Sequence, residues 1–411
     1  MHSTELNRFD RYSKIFLVGV FFFFPIWLAA TNIVLALMLV FWLLAGHFKM
    51  RWQSVRNNPI TLPALVLYGL VIIGSAYSPA KPSEILQHLN KYSIFIFILI
   101  AISLLQDIKW RKYCWNAFNF AMLFTLFCVY ANIWVDLPWS ITRNKGWGVD
   151  HTVFKDYIAQ SIMMALFTLQ CIHKSRQANK VRIKFIWMTI GLLAIISITH
   201  LSNGRTGYLA LLISLLAYAI FSIHSQKKWL VIGLFGFIFT LLLMNSTTAT
   251  QRIELMRAEI GNYLANSNSE SIEGKMSSSG ARLAMWKLSI DELIKRPLNG
   301  AGTASYRYLA KNEFKDTDFC NIACVHPHNQ FLFFGVEHGL LGILFYIFLF
   351  YRSIKFAGTL DKFYKPLLLG FLGIFFVDSM VHGALWLAVE RHYFTFILAL
   401  FMATPQKMIE K

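Results

Sequence analysis

The chain has 411 residues, of which 56% are hydrophobic, 16% aromatic and only 15% charged, with a mean hydropathy of +0.50 and a net charge of +18. Soluble domains carry roughly 25% charged residues, so a water-soluble globular class is excluded. By total charge alone a pI near 9.7 would suit a nucleic-acid partner. Here, however, the Lys and Arg sit in short segments between apolar runs, which makes them a topology signal and predicts no nucleic-acid partner.

Apolar windows of about 20 residues recur from end to end, long enough to cross a hydrocarbon core of roughly 30 Å. They predict an all-α polytopic membrane protein with about twelve transmembrane helices, residues 1–411 forming one integral membrane domain. The windows are 16–30, 33–47, 60–77, 92–105, 114–135, 153–173, 185–200, 207–223, 229–244, 329–351, 366–387 and 392–403. The first is not read as a cleavable signal peptide, because a second apolar run follows at once with no small-residue cleavage site between them. With the N-terminus inside, the cytoplasmic segments hold 22 of the 39 Lys/Arg and 5 of the 21 Asp/Glu. That bias in short loops predicts both termini in the cytoplasm.

One connection is long. Residues 245–326 are expected outside, as a large helical loop between the ninth and tenth membrane helices. A loop longer than about 15 residues is usually functional or disordered. In "ATQRIELMRAEIGNYLA", Ile253, Met256, Ile260 and Leu264 recur at helical spacing. A polar Ser/Gly-rich bridge, "NSNSESIEGKMSSSG", follows. The next stretch sets Leu283, Trp286, Ile290, Leu293 and Ile294 on one face, with Ser279 as the expected N-cap and Pro297 ending the element. Such amphipathic helices suit a membrane surface. Cys320 and Cys324 fall in this loop, where either a local disulfide or metal ligation together with His326 and His328 would be compatible with their spacing. Cys114, Cys128 and Cys171 read as small apolar residues of membrane helices.

Several polar groups on the outer side are candidates for chemistry. Arg205 is the only basic residue in "THLSNGRTGYLA", a turn between two helices. A snorkelling arginine is the plain reading, but the guanidinium fork also suits bidentate phosphate binding. Arg282 lies in the first turn of the helix after Ser277, Ser278 and Ser279, where backbone N–H groups favour an anion. His328 and Asn329 stand at the mouth of the tenth membrane helix, with His326 two residues earlier. Burial and neighbouring arginines would hold His328 neutral, as a general base requires. Glu337 and His338, further along the same helix, should face the bundle interior because ionisable groups in lipid are costly. Asp316 and Asp318 form a D-x-D pair of the kind that holds a divalent metal, but no second acidic cluster, for example around Thr31 and Asn32, completes a site, so no metal is expected. Tyr306, Trp286 and Trp147 are candidates for stacking on sugars, although an interfacial aromatic belt would use the same residues. Neither a phosphate-binding P-loop nor a G-x-G-x-x-G run is present, so neither ATP nor a nucleotide cofactor is indicated.

Taken in order, "SNGRTG" with Arg205, "SGARLAMW" with Arg282, "RPLNGAG" and His328–Asn329 followed by Gly339 and Gly342 resemble the O-antigen ligase family. That family is related to O-antigen polymerases and protein O-oligosaccharyltransferases. The resemblance implies a GT-C-like membrane fold in a bacterial inner membrane with the site facing the periplasm. It implies transfer of a glycan from undecaprenyl diphosphate to a sugar hydroxyl of the lipid A-core in lipopolysaccharide biosynthesis. In that reading Arg205 and Arg282 bind the diphosphate, His328 is the base, and His326, Asn329, His338 and Ser279 are secondary candidates. No cofactor or metal is implied, since the donor already holds the energy; the partners are the lipid-linked O-antigen, the lipid A-core acceptor and membrane lipids. A polymerase would use the same residues. A lipid or polysaccharide transporter is the other class, with Asp378 and Glu337 as its intramembrane acids, but carriers usually show internal repeats and none is visible.

Overall fold

The computed structural model describes residues 2–223, 228–265, 276–314 and 318–404; within them every regular element is a helix and no strand occurs. The chain opens with α1 (His2–Phe23) and α2 (Leu28–Ala45), which pack along each other, and continues through α3 (Phe48–Val55) to α4 (Thr61–Gly74). Next come α5 (Pro82–Tyr92) and α6 (Ile94–Leu104), nearly continuous, and α7 (Ile108–Ala131). An irregular stretch leads to α8 (Tyr157–Gln177), α9 (Val181–His200), α10 (Arg205–Ser222) and α11 (Lys228–Met244). Four helices then stand between two apolar ones: α12 (Thr247–Ala265), α13 (Ser278–Lys295), α14 (Ser305–Phe314) and α15 (Asp318–Ala323). The chain finishes with α16 (Gln330–Ala357), α17 (Tyr364–Val381) and α18 (Ala388–Met402).

Local chemistry sets many of these boundaries. Pro82 sits in the first turn of α5, where its missing N–H is no loss. Side chains of Asp107, Asp156, Ser277 and Asn329 accept hydrogen bonds from the opening N–H groups of α7, α8, α13 and α16. The N-cap of α13 is thus Ser277 rather than Ser279; Ser279 lies inside the first turn. In the middle of the bundle α17 packs against α8 and α10, and α18 against α6, around Phe371, Tyr393 and Phe394.

The protein is an all-α polytopic membrane protein. Among the described residues seven helices, with α5 and α6 taken as one, are long and apolar enough to span, or eight if α11 and α12, bent by 86°, count as one. Each of the twelve apolar windows holds a helix, yet α1, α4, α6, α8, α11 and α18 do not alone meet those limits of length and composition, α6 meeting them only with α5. Two windows are corrected. The first straddles the turn at Pro25, which has no N–H to continue α1, so the turn lies at 24–27 and Thr31 and Asn32 are inside α2. The eleventh stops at Val381, because His382 and Gly383 leave the helix and 383–387 turn back on themselves.

The helix α16 is broken. Gly339 has φ 64° and ψ −158°, and any Cβ there would collide with the Leu298 carbonyl. The segment 297–302 fills the break: Leu340 N donates to Pro297 O (2.7 Å), Ala301 N to Val336 O (2.7 Å) and Gly302 N to Glu337 O (3.0 Å). Backbone groups freed at membrane depth are thereby satisfied within the protein. The "RPLNGAG" stretch and the glycine of α16, forty residues apart in sequence, are one packing unit.

Candidate active site

At the end of the bundle that carries α12–α15, a cleft of about 540 Å³ opens between α8, α13, the 326–328 loop and the 382–387 turn. Its lining includes Arg282, His326, His328, His382, Asp156 and Ser278. Folding of α13 puts Arg282 one turn from the helix start. Trp286 then donates from Nε1 to Pro327 O at 3.0 Å, tying that helix to the histidine loop. Trp286 is therefore occupied in holding the loop, and Tyr306, which is buried with its hydroxyl on Ala323 O (2.8 Å), has no face for a sugar. Trp147 is exposed, beside His200.

Arg205 opens α10 and reaches across to the start of α13. Its Nη2 donates to Ser278 Oγ (3.1 Å), and its Nη1 to Ser279 Oγ (3.3 Å) and Glu259 Oε2 (3.4 Å). The same Glu259 oxygen accepts from Ser279 N (3.1 Å) and Ser279 Oγ (2.6 Å). A carboxylate of α12 thus occupies the anion-favouring point where a helix N-terminus and a guanidinium converge. Arg282 is half-buried; burial and then the charge of Arg205 lower its pKa from the usual arginine value.

His328 has φ 49°, in the left-handed region that non-glycine residues seldom occupy and that tends to mark functional sites. Its N–H donates to His326 Nδ1 at 3.2 Å, which leaves Nε2 of a neutral His326 to carry the proton, and the two rings lie 4.1 Å apart. Burial, with the charges of His382 and Arg282 behind it, pushes His328 down to about 3. Burial, followed by the same neighbours and Lys91, takes His326 well below the ordinary range. Both rings are neutral at physiological pH.

His382 behaves in the opposite sense. Burial opposes its charge, but Asp378, Glu390 and Asp156 outweigh burial and hold it above the ordinary histidine value. Its Nδ1 is 3.6 Å from Asp378 Oδ1 and 3.5 Å from Glu390 Oε1, and its ring centroid is 5.4 Å from that of His328. The cleft therefore sorts two neutral imidazoles between a guanidinium on one side and a carboxylate-backed imidazole on the other. The residue-by-residue reading missed His382, Glu390 and Glu259. The signal for the first two was His382 and then Glu390, Arg391 and His392, ionisable residues set among apolar ones at the junction of two apolar windows.

The other candidates separate. Asn329 is the N-cap of α16, its Oδ1 on Leu332 N (3.0 Å) and its Nδ2 on Met380 O (2.9 Å), so both ends hold backbone. His338 is buried away from the cleft, with Glu337 and His88, whose Nε2 is 3.0 Å from Glu337 Oε1. Cys320 and Cys324 are joined as a disulfide. Asp316 and residues 266–275 of the polar bridge lie outside the described residues. A second, apolar groove of about 330 Å³ runs from Arg205, Ser279 and Arg282 past Leu209, Leu212 and Leu243 to Ile253 and Met256.

Fold and cleft together define a multi-pass membrane protein with a cationic, histidine-bearing site at one end of the bundle, next to an apolar groove. Residues 190–347, which include Arg205, Arg282, His326 and His328, match the family model described as O-antigen ligase, so the resemblance to that family is borne out. A Rickettsia conorii (strain ATCC VR-613 / Malish 7) protein with the provisional name polysaccharide ligase is 24% identical over 199 residues, 45% of this chain and 48% of that protein. A similarly named Rickettsia prowazekii (strain Madrid E) protein is 30% identical over 82 residues, 19% of this chain and 20% of its own. The chain spans about half the length of the first relative and a fifth of the second.

Proposed function

We propose that this protein is a metal-independent, inverting glycosyltransferase that moves an O-antigen glycan from undecaprenyl diphosphate to a sugar hydroxyl of lipid A-core, at the periplasmic face of a bacterial inner membrane. The observation that carries the reading is that Arg282 and His328 line one cleft while Arg205, bonded to Ser278 and Ser279, lines with Arg282 the apolar groove beside it, three residues from separate parts of the chain. A lipid-borne diphosphate needs both surfaces: guanidinium groups for the phosphates and an apolar channel for the tail. The family match and the polysaccharide-ligase relatives support the same class of chemistry.

In this mechanism the acceptor oxygen forms a bond to the anomeric carbon as the bond from that carbon to the diphosphate oxygen breaks. The electron pair leaves with the diphosphate, and one displacement inverts the centre. Arg205 and Arg282 stabilise the departing charge, a contribution of about 10²–10³-fold per donor in comparable sites. They take the place a divalent ion would otherwise fill. The acceptor proton goes to His328, worth typically ~10²–10⁴-fold. A base held near pH 3 is weak in the empty cleft, but a bound diphosphate beside Arg282 adds negative charge that favours its protonated form. His382, backed by Asp378 and Glu390, is the adjacent imidazole held toward its charged form, a second positive group facing the diphosphate.

The test uses the purified full-length protein in lipid nanodiscs, supplied with labelled polyprenyl-diphosphate glycan with and without lipid A-core. Label is expected on the core. Lengthened lipid-linked chains instead would make the protein a polymerase, and no product of either kind would overturn the reading.

A further inference from the structure

Behind the histidine loop lies a second cationic region that the proposed transfer has not used. Residues of the loop from Cys324 to His328 line two clefts: His326 and His328 the one described above, and Cys324 and Val325 another of about 370 Å³. Arg307, Lys311 and Asn321 line that second cleft, with Asp318 at one edge. Arg307 comes from α14, where its Nε lies 3.4 Å from Glu84 Oε1 and makes no hydrogen bond. Two turns along α5 from Glu84, Lys91 rests on the face of Trp386, its Nζ 3.2 Å from the ring centroid. Arg391 donates to Trp386 O at 3.0 Å. Lys91 stands within electrostatic reach of Arg307, Arg391 and His326. Among the described residues, none of Lys91, Lys311 and Arg391 has a carboxylate at ion-pair distance. Four basic groups gathered here, with only Glu84 and Asp318 as carboxylates beside Arg307 and in the cleft, make a field that favours an anion.

Direction gives the region a purpose. In a single displacement the nucleophile and the leaving group lie on opposite sides of the anomeric carbon. The donor diphosphate belongs with Arg205 and Arg282, so the acceptor must come from across the histidines, the side on which these basic residues stand. We infer that Arg307 and Lys311, with Lys91 and Arg391 behind them, form an acceptor subsite that binds a phosphate group carried on the acceptor saccharide. Several cations around one point suit a phosphate, with a charge near −2, better than a single carboxylate. The inference rests on the glycosyl-transfer reading for its direction, but its test does not depend on turnover.

Binding is measured without donor, by thermophoresis of the full-length protein in detergent, using lipid A-core and the same material after chemical removal of its phosphates. Wild type is expected to bind the phosphorylated form at least tenfold more tightly. Lys311→Gln, at an exposed position, and Arg307→Gln should each remove most of that difference while binding the dephosphorylated form as wild type does. Equal binding of both forms by wild type, or an unchanged preference in both variants, would overturn the subsite. Competition by phosphatidylglycerol vesicles as strong as that by lipid A-core would also overturn it, by making the site one for lipid headgroups. Absence of transfer in the nanodisc assay with this preference intact would sink the proposed reaction and leave the anion site standing.

Discussion

His328 is held in a left-handed backbone conformation, neutral, beside a half-buried guanidinium. Two consequences follow for pH. Free His328 titrates near 3 against an ordinary 6.5, so between those values the unfolded chain binds the extra proton and the folded one does not. This residue's contribution to stability is therefore complete above pH 6.5 and declines as pH falls toward 3, which thermal unfolding in detergent across that range will show. The acid limb of kcat/KM, which reports free enzyme, should lie below that of kcat, which reports the diphosphate-bound complex. Identical limbs in a pH-rate study would argue against a phosphate next to this ring. Replacing Arg205, Arg282 or His328 singly with Ala should cut transfer by about 10²-fold or more, with the variants still folded and in the membrane. These three residues were legible in the sequence because each stands where a helix is expected to begin, Arg205 in the turn before a membrane helix, Arg282 after three serines and His328 at the mouth of a membrane helix. Glu259 was not. It sits on an amphipathic helix among other charges, and only the packing of α12 on α13 brings its carboxylate to Ser279.

Between elements, the position of the site depends on contacts that link distant segments. Trp286→Phe keeps the ring and removes the hydrogen bond to Pro327 O, a loss of about 1 kcal/mol. It should lower kcat more than donor affinity, because α13 and the histidine loop lose register while Arg282 stays on its helix. Gly339→Ala meets both a left-handed φ and a collision with Leu298, and should reduce the yield of folded protein, measured by size-exclusion chromatography. The break in α16 could not be read from hydropathy, since Gly339 and its neighbours fit an unbroken apolar helix; the companion segment 297–302 lies forty residues earlier. On α13 the apolar face read from periodicity includes Ile290 and Ile294, which are exposed, while Ala281, Ala284, Met285 and Leu288 pack inward.

On the scale of the whole molecule, charge in short loops and the location of the cleft make one joint prediction about sidedness. A cysteine introduced by Lys311→Cys should react with a membrane-impermeant maleimide in intact spheroplasts, and one introduced by Gln53→Cys, before α4, only after permeabilisation. The opposite pattern would put the cleft in the cytoplasm and end the proposed reaction. Helix content and membrane class were legible from composition, because apolar length is set by the bilayer. The number of crossings was not, since α4, α11 and α18 are short and only their neighbours say whether each completes a span.

The apolar groove adds a constraint of a different kind. It begins at the arginines and reaches Leu209, which is exposed on the outside of α10. A substrate arriving by that route travels in the plane of the bilayer, so what saturates the enzyme is its mole fraction among lipids, and adding inert phospholipid at fixed total donor should slow the reaction by surface dilution alone.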